Sequence, residues 1–322
     1  MNQRNNGVDC IYLAACARDA RFARISIASI RYFYSDVPIR LLAGGKLPPG
    51  IAKELRKYWG VELVDLPAGE YGWGMVKLEP LFGPPGQKFM VVDADTVFTG
   101  RVLDAWAKSE ADFLVDDERL LDADSRRLFY DWDVLRAIDP KAQSGRSGFN
   151  VGQWFGTAGL IQREEFDPWV EWTLPRALRY PKYFMGGDQG VLNYVILQKE
   201  ASEHIRVERR TIMRWPGNSM DRLNVESVAR GTAPPLVIHW AGMKRTFLRN
   251  MVGGDLLQFF ENFYYSRLPA GHLRRILAFW RHVWIQWSFE VSLRLKLRLR
   301  IWLGRPLSGP ISQSLVKPNI GR

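Results

Sequence analysis

Cysteine is scarce in this sequence. The 322-residue chain has two, Cys10 and Cys16. On one extended strand they would stand roughly 20 Å apart, whereas a disulfide needs Cα atoms within about 7 Å. A disulfide scaffold is excluded, and a reducing compartment is the expectation. Long apolar runs are missing too. The nearest approach to a spanning segment, residues 276–293, is broken by Arg281, His282, Gln286 and Glu290, so it reads as interfacial. The opening Met-Asn-Gln-Arg-Asn-Asn-Gly is polar and has no apolar h-region, so no secretory signal is expected. No segment repeats at a fixed period, which argues against a solenoid. Acid is nearly absent from the C-terminal end. Residues 268–322 hold ten Lys or Arg and one acid, Glu290, a net +9 of the whole chain's +11. The basic character therefore belongs to a tail, and a basic tail suits a phosphate-bearing surface.

The remainder is ordinary globular material, 47% hydrophobic and 25% charged, long enough for an α/β enzyme domain of about 250 residues. Val8–Cys16, Ile39–Leu42 and Val61–Leu66 read as buried strands. Arg21–Tyr34 and Pro49–Trp59 between them have helical spacing, with Pro49 as a first-turn residue and Gly60 as a stop. Strand–helix–strand–helix–strand predicts a parallel sheet with right-handed crossovers. After a turn at Pro84-Pro85-Gly86 come a strand at Lys88–Val92, a short helix at Val102–Lys108 and a strand at Asp112–Val115. The charged stretch 117–147 reads as an insertion with one helix near 124–137. Asp167-Pro168 looks like a helix cap and first helical residue, Gly186–Leu197 is a helix, and Leu236–Trp240 is a late strand.

Four short motifs carry candidate chemistry. Asp93-Ala94-Asp95 ends an apolar strand, and ligands of open α/β sheets bind beyond the carboxyl ends of strands. No Lys or Arg lies close in sequence to pair these acids, so Mg²⁺ or Mn²⁺, which takes carboxylate oxygens and shares phosphates, is a fitting partner; a surface turn is the alternative. His239-Trp240-Ala241-Gly242-Met243-Lys244-Arg245 ends another strand. A neutral imidazole there can join a metal and the cations can hold a diphosphate, or His239 is simply structural. Gly148-Phe149-Asn150-Val151-Gly152 is either a ligand's close approach to backbone or a tight turn. Gly186-Gly187-Asp188-Gln189 opens a helix, where Asp188 either caps it or faces a pocket.

Taken in order, Asp93-Ala94-Asp95, Phe149-Asn150-Val151-Gly152, Asp188-Gln189-Gly190-Val191-Leu192-Asn193 and His239 with Gly242 and a lysine resemble glycosyltransferase family 8 over roughly residues 8–250. That group transfers galactose or glucose with retention and has the GT-A fold, an α/β, Rossmann-like, mostly parallel sheet flanked by helices. The resemblance implies that Asp93 and Asp95 bind Mn²⁺ (or Mg²⁺), with Asp93 also near the ribose, and that His239 is the third protein ligand. It implies that Lys244 and Gly242 contact the diphosphate, and that Asn150, Asp188 and Gln189 line the donor sugar. Asp116 or Asp117 would bind sugar hydroxyls. Two departures stand out. Lys244 comes one residue early in the His-x-x-Gly-x-x-Lys pattern and Arg245 holds the expected place. The first strand runs into Ala14-Ala15-Cys16-Ala17 before Arg18-Asp19, so the acid that reads uracil in the family is displaced.

A nucleoside diphosphate would leave with two negative charges, stabilised by a divalent ion and by Lys244 or Arg245. Gln189, near the anomeric carbon in the resemblance, is a poor nucleophile. Front-face transfer is therefore the expectation, with Asp188 as a covalent nucleophile the alternative. The donor would be a nucleotide sugar, UDP-linked, and the acceptor a glycolipid or growing surface polysaccharide. The rival readings are a nucleotidyltransferase, against which the lack of a Gly-rich loop in Ala14–Ala20 counts, and a non-catalytic membrane-bound scaffold.

Residues 1–265 form the expected catalytic domain, with 117–147 a lid on the acceptor side, and 266–322 a separate tail. In the tail, Trp280, Trp284 and Trp287 share a helical face with Leu273, Ile276, Leu277 and Val283, while Arg274, Arg275 and Arg281 fall largely elsewhere. That is the pattern of a helix lying in an anionic head-group layer, which places the protein peripherally on the cytoplasmic face of a membrane. Leu293–Arg300 alternates Leu with Arg or Lys and fits either a helix or a strand. So much Leu and Trp among the cations argues against nucleic acid.

Overall fold

The computed structural model describes residues 7–67, 72–117, 129–130, 132–142, 148–184, 187–217, 220, 223–243 and 247–302. A seven-stranded sheet forms its centre, in the order β10-β6-β7-β4-β1-β2-β3. Its strands are β1 (Cys10–Ala15), β2 (Ile39–Ala43), β3 (Val61–Leu63), β4 (Lys88–Asp93), β6 (Phe113–Asp116), β7 (Gln153–Thr157) and β10 (Val207–Arg210). The pairs β1–β2, β2–β3, β1–β4 and β6–β10 are parallel, and β7 runs antiparallel between β4 and β6. The expected parallel β-α-β-α-β start is present, with α1 (Ala20–Phe33) and α2 (Ile51–Trp59) as crossovers. Gly60 ends α2 at φ 60°, in the left-handed region that glycine tolerates best.

Both sheet faces are buried, as a mixed sheet between layers requires. Alternation along β4 sends Met90 and Val92 into a core with α1 and Phe89 and Val91 into a second core beneath the helix α4 (Asp188–Ala201). The second core also holds Trp154, which stacks on Phe113 and meets Phe89 edge-on.

A smaller sheet, β11-β12-β5, is built from β5 (Thr96–Phe98), β11 (Met213–Arg214) and β12 (Val237–His239). Helix α1 is spliced to it by small hydroxyls. Ser29 accepts the amide of Phe98 at 3.0 Å, and Ser26 lies 3.3 Å from Thr96. Bulky residues at 26 and 29 would hold β5 away.

The expected short helix at Val102–Lys108 is present, as a 3-10 helix. Other expectations need correction. No helix follows Asp167-Pro168. A 3-10 turn, Arg163–Phe166, ends there, and a two-stranded hairpin follows, β8 (Val170–Glu171) with β9 (Ala177–Leu178). Asp167 caps the hairpin instead: its carboxylate accepts from Trp172 Nε1 and its carbonyl from Arg179 Nε. In the insertion, the described helix is α3 (Trp132–Ile138); residues 118–128 and 143–147 of the expected lid lie outside the described residues.

Downstream come α5 (Val225–Ala229), α6 (Gly254–Ser266) and α7 (Gly271–Trp302). The alternating stretch after Leu293 is therefore helical. Helix α7 turns its inner side to α1 and the preceding loop: His282 is buried edge-on against Phe22, Arg21 lies over Phe279, and Gln286 donates to the Arg18 carbonyl. Its outer side leaves Leu273, Leu277, Trp280, Trp284 and Trp287 exposed, Trp280 at 63% and Trp284 at 64%. Among the described residues no helix is long and apolar enough to cross a membrane.

Candidate active site

The site is assembled where β4 stops. The Asp93 amide donates to the Gly152 carbonyl at 2.7 Å, the Ala94 amide to Ala14 at 3.1 Å, and the Thr96 hydroxyl returns to the Asp93 carbonyl at 2.7 Å. The chain therefore turns tightly through Ala94 and leaves as β5. Strand β12 pairs with β5 so that His239 faces Thr96, and the Trp240 amide locks onto the Asp95 carbonyl at 3.0 Å. This turn and one strand pairing bring residues about 145 positions apart in sequence together. One ligand atom each from Asp93, Asp95 and His239 lies within 4.8 Å of the others.

The gaps are informative. His239 Nε2 stands 3.5 Å from Asp95 Oδ1 and 3.7 Å from Asp93 Oδ2, too far for good hydrogen bonds. Ligand atoms around a six-coordinate Mg²⁺ or similar ion stand about 3 Å apart, given metal–oxygen distances near 2.1 Å. A small closure would suit such an ion. The donor set, two carboxylates and an imidazole, is hard enough for Mn²⁺ or Mg²⁺.

Lys77 is the residue that sequence reasoning missed. It rises from a 3-10 segment, Gly72–Phe82, and its ammonium is buried 3.1 Å from Asp93 Oδ1 and 2.7 Å from Asp188 Oδ2. The cation that pairs Asp93 thus comes from 16 positions away in sequence. The available signal was one cation inside the apolar run Met75-Val76-Lys77-Leu78. Burial works against the Lys77 ammonium, but Asp188 and Asp93 outweigh it and hold its pKa above the usual lysine range. Burial pushes the Asp188 carboxyl up to about 6, against the pull of Lys77. Asp93 thus lies between the Lys77 ammonium and the Asp95–His239 pair, where a divalent cation would add countercharge.

The glycines of the 148–152 motif serve close packing. A Cβ at Gly152 would lie 2.1 Å from His239 Cε1, and one at Gly148 would strike Phe129. Between them Asn150 accepts the Gly152 amide at 2.8 Å. Asp188 does not cap its helix by side chain; Gly187 is the N-cap, and a Cβ at Gly74 would sit 2.8 Å from the Asp188 carboxylate.

No family model matches the chain, and no curated protein matches it. Solved structures do. The galactosyltransferase LgtC, crystallised with donor and acceptor sugar analogues, superposes with a TM-score of 0.51 at 14% identity over 82% of this chain and 99% of its own. The bifunctional glycosyltransferase WbbM gives 0.51 at 13% identity, over 82% of this chain and 50% of WbbM. The fold is GT-A.

In the GT-A sheet the remaining predicted residues fall as follows. Ala14 flanks Asp93 across β1–β4. Gln189 follows Asp188 on α4, half-buried, and its carbonyl accepts from Asn193. Gly242 adopts φ 68° with open space where a side chain would be. Asp116 ends β6, two strands from β4, and its Oδ1 accepts the amides of Ile212 and Met213 at 2.8 and 2.9 Å. Burial raises its pKa, those two amides opposing. The Asp117 amide bonds to Arg210. Lys244 and Arg245 lie outside the described residues. A cavity of about 610 Å³ lined by Arg31, Arg40, Tyr58 and Arg267 contains none of the site residues.

Proposed function

We propose that this chain is a metal-dependent glycosyltransferase that moves a hexose from a nucleotide sugar, UDP-linked, to a cell-surface glycolipid or polysaccharide with retention of configuration. The observation that carries the reading is the meeting of Asp93, Asp95 and His239 within 4.8 Å at the carboxyl end of β4, in the fold shared with LgtC. Those three residues would hold Mn²⁺ or Mg²⁺, which supplies charge stabilisation to a departing diphosphate. Lys77 holds Asp93 and Asp188 in place. Asp188, Gln189 and Asn150 line the donor sugar, Asp116 or Asp117 takes its hydroxyls, and Ala14 and Gly242 flank the nucleotide. Lys244 or Arg245 binds the diphosphate. Gln189 stays neutral at the anomeric carbon, which favours front-face transfer over attack by Asp188.

The catalytic unit spans residues 1–265 and the tail docks it to the inner face of an anionic membrane. The exposed Trp and Leu stripe of α7 and the net charge of +9 over residues 268–322 support that placement. The test is a panel of nucleotide sugars incubated with and without Mn²⁺, read by nucleoside diphosphate release and thermal shift. Metal-dependent release is expected. Release of pyrophosphate from a nucleoside triphosphate and a sugar phosphate would favour nucleotidyl transfer instead.

A further inference from the structure

His239 poses a problem of orientation. Its imidazole is 3% exposed and turns Nε2 toward the two aspartates, while Nδ1 is buried without a hydrogen-bond partner among the described residues. A metal-ligating histidine ordinarily gives its far N–H to an acceptor, and that bond fixes the plane of the ring. Here the ring is held by stacking. Trp215 lies parallel to it, centroids 5.4 Å apart and planes 17° apart. The imidazole edge rests on Gly152, where a Cβ would lie 2.1 Å from Cε1. The placement of Trp215 follows from the small sheet. Arg214 ends β11 paired with Ile238 of β12, and the residues that follow, Trp215 just past β11 and His239 at the end of β12, stack side by side. Asp116 secures β11 by accepting the amides of Ile212 and Met213.

We propose that Trp215 is a positioning residue, its indole setting the plane of His239 by stacking in place of the usual hydrogen bond and so keeping Nε2 aimed at the cation site. The proposal rests on the cation-site reading above. The experiment measures Mn²⁺ affinity of the full chain by electron paramagnetic resonance of free Mn²⁺, with the metal alone. Trp215→Leu keeps apolar bulk without a flat ring and should bind at least tenfold more weakly. Trp215→Phe should stay within about threefold of the parent. Circular dichroism and melting of the metal-free proteins establish that each variant is folded. A folded Trp215→Leu protein with parental affinity, or a folded Trp215→Phe protein as weak as Trp215→Leu, overturns the proposal alone. Equal affinity of the parent and Asp95→Ala overturns the cation site and the proposal with it.

Discussion

Lys77 Nζ lies 2.7 Å from Asp188 Oδ2, both buried, and the same ammonium reaches Asp93 at 3.1 Å. One side chain therefore couples the first turn of α4 to the end of β4. Removing one member of a buried ion pair leaves its partner uncompensated, at a cost of about 3–5 kcal/mol. Lys77→Met should lower stability by roughly 3 kcal/mol in urea unfolding and reduce transfer by at least two orders of magnitude. Lys77→Arg should recover most of the stability. A Lys77→Met protein as stable as the parent would show that the pair contributes nothing.

Asn193 joins the two glycine-rich motifs. Its amide accepts the Phe149 amide and donates to the Phe149 carbonyl, both at 2.8 Å, and also donates to the Gln189 carbonyl at 2.9 Å. Asn193→Ala strands two buried backbone groups of Phe149, each costing about 1–3 kcal/mol. The expected result is a loss of roughly 2–3 kcal/mol with a raised KM for the donor, since Asn150 shifts with its loop. Chemical denaturation and steady-state kinetics check it, and an unchanged KM would separate the clamp from the site.

Cys16, at the end of β1, donates its thiol to Asp19 at 3.0 Å. Burial, then the Asp19 charge and hydrogen bond, push the thiol up to about 11. At pH 8 about one molecule in a thousand is thiolate, so alkylation of Cys16 in the folded protein should be slow and accelerate with pH well above 9. Asp19→Asn removes the raising influence of the Asp19 charge and should speed labelling at pH 8 several-fold. Mass spectrometry of the Cys16 peptide reads the rate, and equal rates would mean that burial alone governs the thiol.

The outer stripe of α7 makes a separable prediction. Because Trp280, Trp284 and Trp287 are exposed, replacing all three by alanine should leave the melting temperature within a degree or two. The same variant should lose at least tenfold in affinity for vesicles rich in anionic lipid. Binding by the parent should weaken with salt, each tail cation contributing about 1 kcal/mol near the surface. No sedimentation of the parent with either neutral or anionic vesicles would remove the membrane from the account, and equal sedimentation with both would remove the role of the tail's charge.

The first half of the sheet was readable because β1 is an apolar run and β2 and β4 are largely apolar, with helical spacing between the first two strands, and periodicity reports such elements directly. The Asp93, Asp95 and His239 motifs were readable because each follows such a run. Their convergence was not written locally, since it depends on β5 and β12, three-residue strands too short to leave a period. Lys77 escaped because a 3-10 segment imposes neither a period of two nor of 3.6. Asp167-Pro168 misled for the opposite reason: it is a genuine helix-start signal, overridden by Trp172 and Arg179 hydrogen-bonding to Asp167 across a hairpin.

The most direct measurement is anomalous scattering at the manganese edge from crystals grown with Mn²⁺ and UDP. The account predicts one strong peak within about 2.2 Å of carboxylate oxygens of Asp93 and Asp95 and of His239 Nε2. A peak elsewhere, or His239 still 3.5 Å from Asp95 with no density between them, would contradict it.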